Sequence, residues 1–313
     1  MTTAVRSSSP AHVLSSDQFD RPLLDHLFQR ASALATVRDG RLSGRIMATL
    51  FYEPSTRTRL SFESAMHRLG GRVIGTEAAR EFSSAIKGET LEDTVRMAAT
   101  YADLIVLRHD QCGAAQRAAR ISEVPVVNAG DGPGEHPTQS LLDLYTIEKE
   151  LGRVEGIHVA ICGDLRYGRT ARSLALLLSL YPGVRITFVA PDVVQVSSDI
   201  RSRLAERSVP FSMSEELADV VGSVDVIYQT RIQRERFENV DELEQARQAI
   251  RVDAELMALL PRHAIVMHPL PRVDELSAEV DADPRAAYFR QAANGVAIRM
   301  ALLEMLLLGR SPS

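Results

Sequence analysis

The chain has 313 residues, a formal net charge of −5 at pH 7, and 45% hydrophobic against 25% charged residues. This composition is typical of a folded globular protein and excludes general disorder, and the absence of a basic block disfavours nucleic acid as a partner. Two cysteines supply no disulfide framework and no zinc spacing. The polar N-terminus lacks the apolar core of a secretory signal, and no apolar run approaches the length of a membrane span. The sequence therefore predicts a cytoplasmic protein with no membrane partner.

The predicted elements begin after a polar stretch, residues 1 to about 15, which is expected to be a loose extension. From Arg45 onward, runs rich in Val, Ile and Leu alternate with helical spacings, as in strands buried on both faces of a parallel sheet. The predicted strands are 45–51, 72–75, 104–107, 124–127, 157–161, 185–189, 224–228 and 264–267. Helices are predicted after Thr56, after a possible capping pair at Thr90 and Asp93, from Pro137, over 170–180 and over 294–308.

This alternation predicts an α/β fold of two doubly wound parallel-sheet domains, in agreement with about 150 residues per domain. We expect the first domain to span 1–150 plus 293–313 and the second to span 151–292. The helix that starts at Pro137 would link them. The apolar C-terminal helix is expected to pack back on the first domain.

Polar motifs follow the strands of the first half, at the sheet edge where ligands bind in open parallel sheets. The strand 45–51 is followed by Ser55, Thr56, Arg57 and Thr58 at the start of a helix, a combination that predicts a phosphate site. An ordinary Ser/Thr cap with surface arginines explains these four residues equally well. The next strands are followed by Arg108-His109 and by a segment that contains His136 and Gln139. Taken alone, His136 is more often a capping residue, but three converging strand ends favour one anionic ligand.

The second half repeats the arrangement with arginines. Gly163 and Gly168 superficially suggest a dinucleotide turn, but they are five residues apart and the G-x-G-x-x-G pattern is absent. Arg169 and Arg231 follow two strands, and the planar guanidinium binds carboxylates through two hydrogen bonds. A solvated charged loop remains the alternative for the segment around Arg231. The motif H-P-L-P-R at 268–272 would present backbone carbonyls that suit a ligand NH₂ group.

Several classes of catalysis are excluded by their missing motifs. The chain has no G-x-S-x-G elbow, no H-E-x-x-H and no visible Cys/His pairing, and no paired carboxylates adjoin the cationic loops. The sequence predicts a site that binds anions and stabilises developing charge without a protein nucleophile.

Seven motifs in order resemble the catalytic chain of the aspartate carbamoyltransferase family. They are S-T-R-T-R-x-S-F-E at 55–63, K-G-E-T at 87–90, R-H at 108–109, N-A-G-D-G-x-x-x-H-P-T-Q at 128–139, G-D-L-x-Y-G-R-T at 163–170, T-R-x-Q-x-E-R at 230–236 and H-P-L-P-R at 268–272. The resemblance covers the chain from about residue 14 to its end. Ornithine carbamoyltransferases share S-x-R-T-R and H-P-x-Q but typically carry H-C-L-P and S-M-G where the second substrate binds. This chain has H-P-L-P and no S-M-G, so that alternative is disfavoured.

The resemblance implies a first domain that binds carbamoyl phosphate and a second that binds L-aspartate. It assigns the phosphate to Ser55, Thr56, Arg57 and Thr58, and the carbamoyl oxygen to Thr58, Arg108 and His136. It assigns the carbamoyl NH₂ to Gln139 and the carbonyls of Leu270 and Pro271, and aspartate to Arg169, Arg231 and Gln233. Ser83 and Lys87 match positions supplied by the neighbouring subunit of a homotrimer, and Lys87 is one of only two lysines in the chain.

The implied reaction is attack of the aspartate amine on the carbamoyl carbon with loss of phosphate, without a metal or organic cofactor. A non-catalytic homologue that only assembles a complex is the alternative from another class, and every position that the chemistry requires is filled. The sequence leaves open a regulatory chain or a dihydroorotase as a further partner. The acidic segment 238–262 departs from the family pattern, which bears on loop closure and regulation.

Overall fold

The computed structural model describes residues 11–79, 84–232 and 250–309. The chain divides into two compact units, Met1–Thr138 with Asn294–Ser313, and Gln139–Ala293. Each unit contains a parallel sheet flanked by helices, so the predicted α/β class with two doubly wound sheets is confirmed.

The first unit is built on a sheet of four strands within the described residues, in the order β2-β1-β3-β4. The strands are β1 Ile46–Phe51, β2 Arg72–Thr76, β3 Leu104–His109 and β4 Val126–Asp131. The helices are α1 Arg21–Leu34, α2 Thr56–Arg68, α3 Leu91–Tyr101 and α4 Ala114–Ile121. Helix α5, Pro137–Leu151, follows β4. Because β1 and β3 are almost entirely buried, their apolar runs fix the centre of the sheet.

The second unit has a sheet of five strands in the described residues, in the order β7-β6-β5-β8-β9. These strands are β5 His158–Cys162, β6 Arg185–Val189, β7 Phe211–Ser214, β8 Val226–Gln229 and β9 Ile265–Met267. The helices are α6 Arg169–Leu178, α7 Ser198–Glu206 and α8 Ala254–Leu259. Strand β7 was not predicted, because it is an edge strand whose four residues are all partly or fully exposed.

The segment just before α1 corrects the expectation of a loose extension up to about residue 15. Val13 is fully buried and pairs in parallel with Val127 of β4, at the edge of the first sheet. Glu135 accepts hydrogen bonds from the Ser15 hydroxyl at 2.7 Å and from the Ser16 N–H at 2.8 Å. The segment is ordered because it covers a sheet edge that would otherwise expose unpaired backbone groups. Residues 1–10 lie outside the described residues.

The C-terminal helix α9, Tyr288–Leu308, packs on the first unit as predicted. Glu304 forms ion pairs with Arg30 and Arg41, and the Arg299 guanidinium lies 4.9 Å from the centre of the Phe62 ring. Among the described residues this helix alone is long and apolar enough to cross a membrane, which corrects the expectation that no segment qualifies. Two thirds of its most apolar stretch is buried, as in the core helix of a folded domain.

Candidate active site

The start of helix α2 carries the residues that the sequence predicts to bind phosphate. Strand β1 leads into it through a short loop, and Ser55 at the N-cap position makes no side-chain capping hydrogen bond. Thr56 and Arg57 are exposed, while Thr58 is buried. An ordinary Ser/Thr cap would have the Ser55 hydroxyl bonded to the first turn, a bond that Ser55 does not make, and phosphate binding by these four residues stays a prediction.

Thr58 and His136 meet in a buried position. The Thr58 Oγ1 lies 3.5 Å from the His136 Nε2, and the His136 Nδ1 lies 3.5 Å from the Thr138 Oγ1. Only 4% of His136 is exposed. The imidazole therefore lies buried between two hydroxyls, and a donor in such a position suits a developing negative charge.

Arg108 joins this group because of the strand register. It pairs with Phe51, the last residue of β1, and this places it beside the loop that leads to α2. Its Nη1 donates to the Ala129 carbonyl at 3.1 Å, and its Nη2 lies 3.4 Å from the Glu53 carboxylate. The sequence analysis does not predict this contact of Glu53, although the residue lies just after β1, at the sheet edge where site residues are expected. The guanidinium is therefore fixed from two sides and mostly buried.

The loop after β4, which carries His136, is braced by a carboxylate. Asp131 accepts hydrogen bonds from the Gly113 N–H at 3.0 Å and from the Glu135 N–H at 2.7 Å. Gly132 has φ +56°, and a Cβ there would lie 2.2 Å from the Asp110 carbonyl oxygen. Only glycine fits this close approach, so the glycine-rich sequence before His136 is explained by backbone crowding.

In the second unit, the loops after β5 and β8 lie against each other. The Thr230 N–H donates to the Cys162 carbonyl at 2.8 Å, and the Thr230 hydroxyl donates to it at 2.9 Å. Gly163 has φ +109°, and a Cβ there would lie 2.2 Å from the Thr230 carbonyl oxygen. Glycine at position 163 therefore allows the backbone after β5 to pass close to the backbone of Thr230. Arg169, at the start of α6, and Arg231 follow these two loops and are both half-buried.

The buried thiol beside this glycine is not a nucleophile. Cys162 is fully buried, and burial raises the pKa of its thiol far above the ordinary value. The described residues contain no group of three or more His, Cys, Asp or Glu side chains that could hold a metal ion.

The residues predicted to hold an NH₂ group also lie in the second unit. Gln139, in the first turn of α5, donates from its Nε2 to the Asp143 carboxylate at 2.8 Å. Leu270 has φ +56° and precedes a cis peptide bond to Pro271. Its N–H donates to the His268 Nδ1 at 2.8 Å, which fixes the turn.

Three predicted positions cannot be placed with these groups. Lys87 ends a short 3-10 turn, Ser84–Lys87, and is exposed. Ser83 and Gln233 lie outside the described residues, as do residues 238–249 of the acidic segment.

Comparison with known proteins identifies the family. The family description "Aspartate/ornithine carbamoyltransferase, carbamoyl-P binding domain" matches residues 11–149, and "Aspartate/ornithine carbamoyltransferase, Asp/Orn binding domain" matches residues 155–306. The chain belongs to the aspartate/ornithine carbamoyltransferase family. The resemblance found in the seven sequence motifs is thereby confirmed.

Relatives within this family carry the aspartate name. The chain is 55% identical over 309 residues to the chloroplastic aspartate carbamoyltransferase of Oryza sativa subsp. japonica, covering 95% of this chain and 85% of the relative. It is 50% identical to the aspartate carbamoyltransferase catalytic subunit of Methanocella arvoryzae, covering 95% and 97%. The aspartate transcarbamoylase of Trypanosoma cruzi, solved with carbamoyl phosphate and aspartate, is 43% identical with a TM-score of 0.90, covering 97% of this chain and 98% of that one.

Proposed function

We propose that the protein transfers the carbamoyl group of carbamoyl phosphate to the amino group of L-aspartate, giving N-carbamoyl-L-aspartate and phosphate. The observation that carries this proposal is the helix start at Ser55 without a side-chain cap, next to the buried Thr58–His136 pair and the braced Arg108. Relatives named aspartate carbamoyltransferase, and the Trypanosoma cruzi enzyme solved with both substrates, support the same reaction.

The first unit supplies the electrostatics of the reaction. Ser55, Thr56, Arg57 and Thr58 hold the phosphate at the positive end of α2. Thr58, Arg108 and His136 donate to the carbamoyl oxygen. As the aspartate nitrogen forms its bond to the carbamoyl carbon, the C=O π electrons move onto that oxygen, and the three donors stabilise the charge. The intermediate collapses by breaking the bond to the phosphate oxygen, and the departing phosphate accepts the amine proton.

The second unit selects the acceptor. Arg169, Arg231 and Gln233 bind the two carboxylates of aspartate, which suit the planar guanidinium. An ornithine side chain would bring a cation toward two arginines and leave them without a carboxylate partner, so ornithine is rejected. Gln139 and the Leu270 and Pro271 carbonyls accept hydrogen bonds from the carbamoyl NH₂ group.

We also propose a homotrimer in which Ser83 and Lys87 act in the neighbouring subunit's site. Strand β2 is an edge strand and is mostly exposed. Its unpaired backbone groups therefore favour contact with another chain. Half of the ten large, exposed apolar side chains among the described residues fall in the part of the sequence around β2 and Lys87. They are Leu60, Ile74, Ile86, Met97 and Tyr101. This density of exposed apolar surface suits a subunit contact.

The predicted domain limits belong to the same proposal. Residues 1–150 with 293–313 would form the carbamoyl phosphate domain, and 151–292 the aspartate domain. The cytoplasmic location stays a prediction, since the plant relatives are named chloroplastic and the name applies to those proteins.

The test is to identify the product. Purified protein is incubated with ¹³C-carbamoyl phosphate and either L-aspartate or L-ornithine, and the mixture is followed by ¹³C and ³¹P NMR. We expect N-carbamoyl-L-aspartate and phosphate to appear in equal amounts, with no transfer to ornithine above the blank. Comparable turnover of ornithine would contradict the assignment, and failure of both reactions would favour the non-catalytic homologue.

A further inference from the structure

A buried carboxylate in the second unit accepts hydrogen bonds from three side chains. Asp143, on α5, is fully buried. Its Oδ1 accepts from the Gln139 Nε2 at 2.8 Å and from the Gln291 Nε2 at 2.7 Å, and its Oδ2 accepts from the Tyr228 hydroxyl at 2.7 Å. An ionised carboxylate only accepts hydrogen bonds, so both amides must turn their NH₂ ends toward it. The Gln139 Oε1 is therefore the end of the amide directed away from Asp143.

The turn that contains Leu270 and Pro271 is bound to the same network. The His268 N–H donates to the Gln291 Oε1 at 2.8 Å, so Gln291 bridges His268 and Asp143. The His268 Nε2 faces the Glu275 carboxylate at 2.8 Å and must carry the proton, while the Nδ1 accepts from the Leu270 N–H. Burial favours a raised pKa for Glu275, but hydrogen bonds from His268 and the backbone outweigh it and hold that pKa below its usual value.

We propose that Asp143 and Gln291 are positioning residues that set Gln139 and the Leu270–Pro271 turn as one unit of acceptors for the carbamoyl NH₂ group. This inference rests on the proposed function. Gln139 presents one side-chain acceptor, the turn presents two backbone carbonyls, and the Asp143–Gln291 bridge fixes the distance between them. Neither Asp143 nor Gln291 needs to touch the substrate for this role.

The chemistry of the ligand gives a selective test. Acetyl phosphate carries a methyl group where carbamoyl phosphate carries NH₂, and the two share the acyl phosphate. The ratio of their dissociation constants therefore reports on the NH₂ acceptors, whereas a damaged phosphate site weakens both ligands together. Wild-type protein should bind carbamoyl phosphate more tightly than acetyl phosphate by about tenfold or more, the value of one or more neutral hydrogen bonds.

The main variant is Gln291→Met, which keeps the side-chain length but removes both hydrogen bonds. Isothermal titration with carbamoyl phosphate, acetyl phosphate and inorganic phosphate should show the selectivity ratio falling about tenfold, with phosphate affinity unchanged. The matched control is Tyr228→Phe, which removes the third bond to the same carboxylate but leaves the bridge intact. Tyr228→Phe should lower the melting temperature but leave the ratio of the two dissociation constants at its wild-type value.

A second variant keeps the test decisive if Gln291→Met does not fold. Gln291→Glu places two carboxyl groups in contact, and they share one proton at low pH. The shared proton replaces the lost N–H, so the ratio should approach the wild-type value near about pH 5 and fall as the proton is lost toward about pH 8. The wild-type ratio over the same pH range is the baseline, because the titratable His268–Glu275 pair and the acyl phosphates are common to both proteins, and the variant should change with pH beyond that baseline.

The outcomes separate this inference from the proposed function. If wild-type protein forms no carbamoyl aspartate, the proposed function fails and the inference falls with it. If the wild type is active but Gln291→Met keeps its selectivity, if Gln291→Glu shows no pH dependence beyond the wild-type baseline, or if Tyr228→Phe loses as much selectivity as Gln291→Met, the inference alone is overturned.

Discussion

The candidate site residues at the strand ends of the two units differ in how deeply they are buried. In the first unit, Thr58, Arg108 and His136 are largely buried and fixed by neighbouring groups. In the second unit, Arg169 and Arg231 are half-buried and follow loops that lie against each other. Groups that stabilise a transition-state charge gain from being fixed beforehand, while groups that admit a substrate must remain accessible. This difference supports our proposal that the first unit stabilises the developing charge and the second selects the acceptor.

The largest expected effect concerns Lys87, whose exposed position suits a role in a neighbouring subunit. Arg57→Ala and Lys87→Ala should each be nearly inactive as pure oligomers. After dissociation and remixing in equal amounts, about a quarter of the sites receive both native residues, because each of two chains must be the right one. Activity should recover to about that fraction. If it does not recover while mass spectrometry confirms exchange, Lys87 acts in its own subunit or is a surface charge.

The next effect tests charge stabilisation in the first unit. His136→Ala should lower kcat by about 10²-fold, the value of one lost donor to a developing oxyanion. The KM for aspartate should change little, and circular dichroism should show an intact fold. The exposed His26 on α1 provides a matched control, and His26→Ala should keep normal kinetics. A near-normal kcat for His136→Ala would return this histidine to a capping role.

A smaller effect is expected when the backbone contact of the second unit is broken. Gly163→Ala forces a Cβ against the Thr230 carbonyl at a positive φ, which should cost about 1–3 kcal/mol of stability and raise the KM for aspartate. Gly222→Ala is the control, because its Cβ would meet no atom within 4 Å and its φ is not positive. Thermal melts and initial rates on both variants give the comparison. Equal behaviour of the two variants would contradict the proposed backbone role of Gly163.

The smallest effect is on stability alone, in the first unit. Burial favours a raised pKa for Glu304, but hydrogen bonds from Arg30 and Arg41 outweigh it and hold the pKa below the ordinary 4.5. Glu304 therefore stabilises the fold above the unfolded pKa, and this contribution is lost as pH falls through the folded pKa. Glu304→Gln should lower the melting temperature at pH 7 without changing the kinetics. The difference from wild type should shrink below about pH 4.5, and a difference that grows there would reverse the assigned sign.

The sequence predicts most of the polar and cationic side chains that the structure places at the strand ends. These loops combine residue types that few purely structural roles require together. It predicts the buried strands for a similar reason: continuous apolar runs have few alternatives. It misses strand β7 and the buried Val13, whose order comes from pairing with neighbouring chain segments. It also misses Asp143, since a single acidic residue in a helix looks the same whether it faces solvent or accepts three buried hydrogen bonds.

The division of labour between the units can be tested in one crossed measurement. The dissociation constants of carbamoyl phosphate and of aspartate are measured by isothermal titration for Arg57→Ala and Arg231→Ala, with Arg185→Ala as a control at the opposite ends of the strands. Each lost charge-assisted contact should raise one dissociation constant by about tenfold or more. We predict that Arg57→Ala weakens the binding of carbamoyl phosphate but not of aspartate, and that Arg231→Ala weakens the binding of aspartate but not of carbamoyl phosphate. If both variants weaken the same substrate, the assignment of one substrate's anionic groups to each unit is wrong.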